Sequence, residues 1–162
     1  MKQEKVKLDG LILIGMTVRT NNKDEMNSET SKIGKLAGMY WGKQIANQFK
    51  DRINPGITYS VYTEYESDEH GEYTYFIGEE VKSLDNQDQS IFKSLIIPAS
   101  TYQKFTTEPG NIPDIVIAAW QKIWQMKEKD FEGKRKYIAD FEIYDQRASN
   151  PSNAIVDIYI GV

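Results

Sequence analysis

The stretch "KYIADFEIYD" (residues 136–145) decides how this chain is read. Its β-branched and aromatic residues, Ile138, Phe141, Ile143 and Tyr144, predict a strand. One carboxylate, Glu142, stands in the middle, between Phe141 and Ile143, where a half-buried strand normally has no acid. Alternation puts Glu142 on one face with Asp140 and Tyr144, and Phe141 on the other with Ala139 and Ile143. An earlier stretch, "VYTEYE" (61–66), has the same texture, and a displacement of 79 residues lays it over "DFEIYD" (140–145). The same displacement carries Trp41 onto Trp120, Lys43 onto Lys122 and Tyr65 onto Tyr144. It also sets Thr63 against Glu142, so the acid belongs to one half only.

Working outward, the two halves repeat the same order of elements. "KVKLDGLILIGMTVRT" (5–20) reads as a strand, and Ser28 or Thr30 as the N-cap of a helix running to about Phe49. In that helix Ile33, Leu36, Ala37, Tyr40, Trp41, Ile45 and Phe49 recur at spacings of three and four. "TYSVYTEY" (58–65) and "YTYFIGEEV" (73–81) form a hairpin across "ESDEHGE", with His70 in its loop. After a polar break, "IFKSLIIPASTYQKFTTE" (91–108) is a strand, or a bent strand broken at Pro98. A helix follows from Ile115 to about Lys127, carrying Trp120 and Trp124. "KYIADFEIYD" and "AIVDIYIGV" (154–162) then close the chain as strands. The expected fold is α+β: two pseudo-symmetric βαββ repeats, about 5–82 and 90–162, forming one curved antiparallel sheet with two helices packed on it. A single domain over residues 1–162 is expected, because one repeat cannot bury its sheet face alone.

Composition limits the chemistry. The chain has 162 residues and a formal net charge of −4, which disfavours direct nucleic-acid binding, since phosphates need a basic face. There is no cysteine and a single histidine, so disulfides, thiolate catalysis, cysteine-ligated zinc and multi-histidine metal sites are excluded. No phosphate-binding glycine loop or nucleophile elbow is present, and neither a cofactor nor a metal is expected. The apolar run "GLILIGM" (10–16) is too short to span a bilayer, and its flanks are not those of a signal peptide; a cytoplasmic location without membrane attachment is expected. Ten Tyr, six Phe and three Trp exceed what a core of this size needs; the surplus rings either line a site or, for tyrosine, suit half-buried strands.

"GEYTYFIGEEV" (71–81), "WQKIW" (120–124), "KRKYIADFEIY" (134–144) and "VDIYIGV" (156–162) together resemble the GyrI-like effector-binding domain, in its stand-alone, integron-cassette form. The resemblance spans about residues 5–162 and agrees with the paired βαββ units. It implies a binding protein for lipophilic, often cationic, small molecules, with a role in transcription regulation or drug sensing and sequestration. It also implies an aromatic pocket with an acid on a late strand. The acid's role falls on Glu142, and wall roles on Tyr40 or Trp41, Tyr62, Tyr75, Trp120, Phe141 and Tyr159. The resemblance admits two alternatives. One is hydrolysis of electrophilic small molecules, with Glu142 as general base. The other is an interaction with a protein partner such as DNA gyrase or a separate transcription factor. The residues alone leave Glu142 readable as an edge or wet-face acid, or as a salt-bridge partner of Lys136, Arg135 or Lys122.

Overall fold

The computed structural model describes all 162 residues. Eight antiparallel strands form one sheet: β1 (Lys2–Leu8), β2 (Leu11–Asn21), β3 (Thr58–Thr63), β4 (Glu72–Glu80), β5 (Lys93–Ile97), β6 (Ser100–Thr106), β7 (Ala139–Tyr144) and β8 (Asp157–Gly161). Two longer helices, α2 (Ile33–Gly42) and α3 (Asp114–Gln125), accompany two single-turn helices, α1 (Asn22–Glu25) and α4 (Glu128–Phe131). No helix is long and apolar enough to cross a membrane. The strand order is β1-β6-β8-β7-β3-β4-β2-β5, so the halves meet at the central pair β3–β7. The two expected βαββ units are β2-α2-β3-β4 and β6-α3-β7-β8.

Each unit carries one further strand. The segment 5–20 is two strands broken at Asp9–Gly10, and the second half breaks in the same way at Pro98–Ala99. These leading strands are exchanged: β1 pairs with β6 of the second half, and β5 with β2 of the first. The exchange forces the sheet to curl. β1 and β2 stand six spacings apart in the strand order, about 29 Å if flat at about 4.8 Å each. Their two-residue link reaches only about 10 Å. Curling brings the two edges over one face, where Leu13, Val61, Phe76, Tyr102, Phe141 and Tyr159 are buried together. Gly15 and Gly78 sit directly opposite one another on that curl. A Cβ on either would lie 2.0 Å from a carbonyl oxygen of the other's strand, so no larger residue fits there.

The helices cover the opposite face. Leu36 and Tyr40 of α2 pack on Ile14, Tyr73, Tyr75 and Ile77, while Val116, Ala119, Trp120 and Ile123 of α3 pack on Phe105, Val156, Ile158 and Ile160. α2 starts later than Ser28 or Thr30. Its first amides, those of Lys32 and Ile33, donate to the carboxylate of Glu25, which supplies a cap from α1. It ends at Gly42, and Ile45–Gln48 continue as a separate 3-10 turn.

The 79-residue displacement does not survive in the central strands. Ser60 and Tyr62 share the helix-covered face with Glu142, whereas Thr63 pairs with Ala139 on the other face. Both helices lie on one face, so the pseudo-twofold relating the halves preserves faces and demands an even displacement between β3 and β7. An odd one turns every side chain over. Glu142 therefore has Ser60 or Tyr62 as its counterpart, and the acid remains unmatched in the first half.

Candidate functional site

Glu142 sits at the middle of the sheet, on the face covered by helices and near the line between α2 and α3. Only 2% of it is exposed, so it is neither a wet-face acid nor an edge residue. Three donors hold its carboxylate. Tyr62 Oη donates to Oε2 at 2.8 Å, Trp120 Nε1 donates to Oε2 at 2.7 Å, and Tyr144 Oη donates to Oε1 at 2.6 Å. All three are neutral. Arg135 binds Asp140 instead, at 2.8 Å, and neither Lys136 nor Lys122 pairs with Glu142. Burial pushes the Glu142 carboxyl above the ordinary value, and the three hydrogen bonds hold it partly down.

The rings around this acid form two groups that make up its wall. Tyr62 lies edge-on to Trp120 at 5.1 Å between centroids, to Tyr75 at 5.5 Å and to Tyr73 at 5.6 Å. Trp41 meets Tyr144 edge-on at 5.6 Å, and Trp124 leans on Trp120 at 6.3 Å. The wall's polar atoms are also occupied. Tyr75 Oη and Ser60 Oγ bond at 2.9 Å, Tyr73 Oη donates to Asn22, and Trp41 Nε1 donates to Thr58 Oγ1. Burial raises the phenol pKa of Tyr62 and Tyr144 well above its usual value, so both stay protonated donors. Trp41, 46% exposed, and the partly exposed Trp124 stand at the outer rim on opposite helices.

The expected wall residues fall in four places. Tyr62, Tyr75 and Trp120 are gathered at Glu142, and Trp41 is at the rim. Tyr40 is buried deeper in the first half, between Trp41 and Phe49; burial raises its phenol pKa and the nearby Glu79 raises it further. Phe141 and Tyr159 do not belong to this cluster. They stack on one another at 4.8 Å and 15° on the opposite, curled face. The physical reason is strand alternation: Phe141 neighbours Glu142 and points away from it, and Tyr159 pairs with Phe141 across β7–β8. Tyr144 and Tyr73 were not among the expected residues. The signal for Tyr144 was present, since it lies two residues from Glu142 on the same face. Tyr73 carries the same signal relative to Tyr75.

Three further buried acids have cationic partners, the first being Asp157, whose carboxylate accepts from Arg147 at 2.6 Å. Asp140 accepts from Arg135, from Tyr65 Oη at 2.7 Å and from the Gly161 amide at 2.9 Å. Glu79 lies 3.4 Å from Arg52 and accepts from the Gly56 amide. Among the four, Glu142 alone lacks a cation.

Comparison with known proteins agrees with this architecture. The family model described as "Cass2: Integron-associated effector binding protein" matches residues 5–162. YobU of Bacillus subtilis, named as a candidate transcriptional regulator, is 30% identical over 148 residues, covering 91% of this chain and 89% of its own. An integron cassette protein from the Vibrio cholerae mobile metagenome is 28% identical, with a TM-score of 0.77 over 99% of this chain and 95% of that one. A structure of SAV2435 bound to tetraphenylphosphonium is 17% identical, with a TM-score of 0.75 over 100% of this chain and 94% of that one.

Proposed function

Because the chain belongs to the family of integron-associated effector-binding proteins, we propose that it binds lipophilic cations among the rings gathered around Glu142. The observation that carries this is a buried carboxylate held by three neutral donors with no cation of the protein's own. Hydrogen bonds stabilise the ionised form without supplying a counter-charge, and a bound cation completes it. At about 4 Å and an effective dielectric of about 20, the gross attraction is about 4 kcal/mol, from which desolvation is subtracted. Ring faces add about 0.5–2 kcal/mol each where the cation lies over them. The charge therefore selects among ligands of one shape, while apolar area supplies most of the affinity. SAV2435, which shares this fold, holds tetraphenylphosphonium, a cation with its charge buried among four rings.

The expected role is that of an effector-binding domain over residues 1–162 that senses or sequesters such compounds in transcription regulation. Titration of tryptophan fluorescence with tetraphenylphosphonium and with the neutral triphenylphosphine oxide tests this reading. Tetraphenylphosphonium binds the tighter of the two in the native protein. Glu142→Gln weakens it by about ten- to a hundredfold, each tenfold being about 1.4 kcal/mol, and leaves the neutral compound nearly unchanged. Equal binding of the two compounds, or an unaltered preference in the variant, sinks the electrostatic account.

A further inference from the structure

Two enclosed polar atoms of the first half, Tyr40 Oη and Glu79 Oε1, find no hydrogen-bond partner among the protein's own groups. Only 1% of Tyr40 and 2% of Glu79 are exposed. Glu79 stands on the helix-covered side of β4, and Ile77 and Val81, two residues to either side of it, share one buried cluster with Tyr40 of α2. The Tyr40 phenol has its pKa raised by burial and then by the charge of Glu79, so it keeps its proton and brings a donor. Glu79 Oε2 is engaged, by Arg52 at 3.4 Å and by the Gly56 amide at 3.3 Å, whereas Oε1 accepts from nothing. A donor and an acceptor are thus held in one enclosed place without bonding to each other. The fold itself does not call for them. The registers that set Ser60 or Tyr62 against Glu142 set Ile160 or Val162 against Glu79, so the second half has an apolar residue where the first has this acid.

We propose that Tyr40 Oη and Glu79 Oε1 form a binding site for one water molecule, which accepts from the phenol and donates to the carboxylate. Leaving a buried donor and a buried acceptor both unpaired is costly, and folded proteins rarely do so. Water is the smallest molecule that gives and takes a hydrogen bond at once, and polar partners of this kind are what retain it in an interior. An apolar group in the same place leaves both atoms unpaired, and a cation there meets Arg52, already 3.4 Å from the other carboxylate oxygen. The bridge ties α2 to β4 beside the rim, since Tyr40 meets the Trp41 ring edge-on at 6.2 Å. α3 is fixed differently, by the direct bond from Trp120 Nε1 to Glu142 at 2.7 Å. The water site does not depend on the cation-binding reading, because the donors around Glu142 are in place without it.

The test joins a crystal structure of the ligand-free protein, at a resolution that shows ordered water, to equilibrium unfolding of Tyr40→Phe in urea. One water oxygen is expected within about 2.5–3.2 Å of both Tyr40 Oη and Glu79 Oε1. Tyr40→Phe keeps the ring and its packing on Trp41 and Phe49, and removes only the hydroxyl. With the bridge present, its loss raises the unfolding equilibrium constant by about threefold or more. A hydroxyl without a partner behaves in the opposite way, because removing it relieves the fold of a buried unpaired group and leaves the constant unchanged or lower. A native crystal structure with no water between the two atoms, or with the phenol bonded directly to the carboxylate, overturns the proposal. So does a Tyr40→Phe protein as stable as the native one, or more stable.

Discussion

Asp140 and Glu142 lie two residues apart on one strand, on one face, and both are almost fully removed from water. Their surroundings differ in kind. Asp140 has a guanidinium at 2.8 Å, a phenol and a backbone amide, and Arg135 is itself stacked over the Tyr137 ring at 4.3 Å. Glu142 has two phenols and an indole. The first carboxylate is neutralised inside the fold and ties the loop before β7 to the sheet. The second has its charge hydrogen-bonded but uncompensated. Burial alone does not mark a site; burial without a counter-charge does.

Substitution separates the two roles. Asp140→Asn leaves Arg135 buried without a counter-ion, and the unfolding free energy falls by about 3–5 kcal/mol in urea denaturation. The corresponding loss for Glu142→Gln stays below about 2 kcal/mol, since no cation is orphaned. If the two losses are equal, both acids are structural and the contrast dissolves.

The pH dependence follows the same contrast. Burial raises the Glu142 pKa in the folded protein above its unfolded value. Its contribution to stability is therefore complete below the unfolded carboxyl value and is lost as pH rises through the raised one. Cation binding runs the opposite way, because the ligand favours the ionised form and releases a proton. Tetraphenylphosphonium affinity rises with pH through the raised value and levels off above it, and Glu142→Gln flattens the curve. A flat profile in the native protein contradicts a titrating Glu142 at the ligand.

A last contrast lies between the two indoles. Trp120→Phe removes a hydrogen bond to a carboxylate, about 1.5–3 kcal/mol, while Trp41→Phe removes one to a hydroxyl, about 0.5–1.5 kcal/mol. Thermal unfolding ranks Trp120→Phe as the more damaging. The reverse ranking places the rim, not the floor, at the structural centre of the site.

Much of this was legible in the sequence. Period-two runs rich in Tyr and Val marked the hairpin 58–81, and three- and four-residue spacings marked both long helices. Glu142 was conspicuous because an acid inside an apolar strand needs a reason. What stayed hidden was long-range. Nothing local in "KVKLDGLILIGMTVRT" shows that its first part pairs with β6, because that pairing is set by strands about a hundred residues away. The register error had a related origin. Few identities fixed the displacement, and an offset of one residue is enough to exchange the two faces of a strand. The resemblance names Phe141 beside Glu142, but the pleat turns neighbouring side chains to opposite faces.

The exchanged strands β1 and β5 also decide how the site can move. Each half lends its first strand to the other, so the halves clasp each other like two hands. A chain severed in the polar link between Val81 and Phe92 gives two fragments, each missing one edge strand and each holding the strand the other needs. They complete one another, and neither completes itself. Such a clasp keeps the β3–β7 seam shut. The floor under Glu142 cannot part like a book. On the proposed binding reading, a ligand enters from the helix-covered side, while the acid stays where the interlocked sheet fixes it.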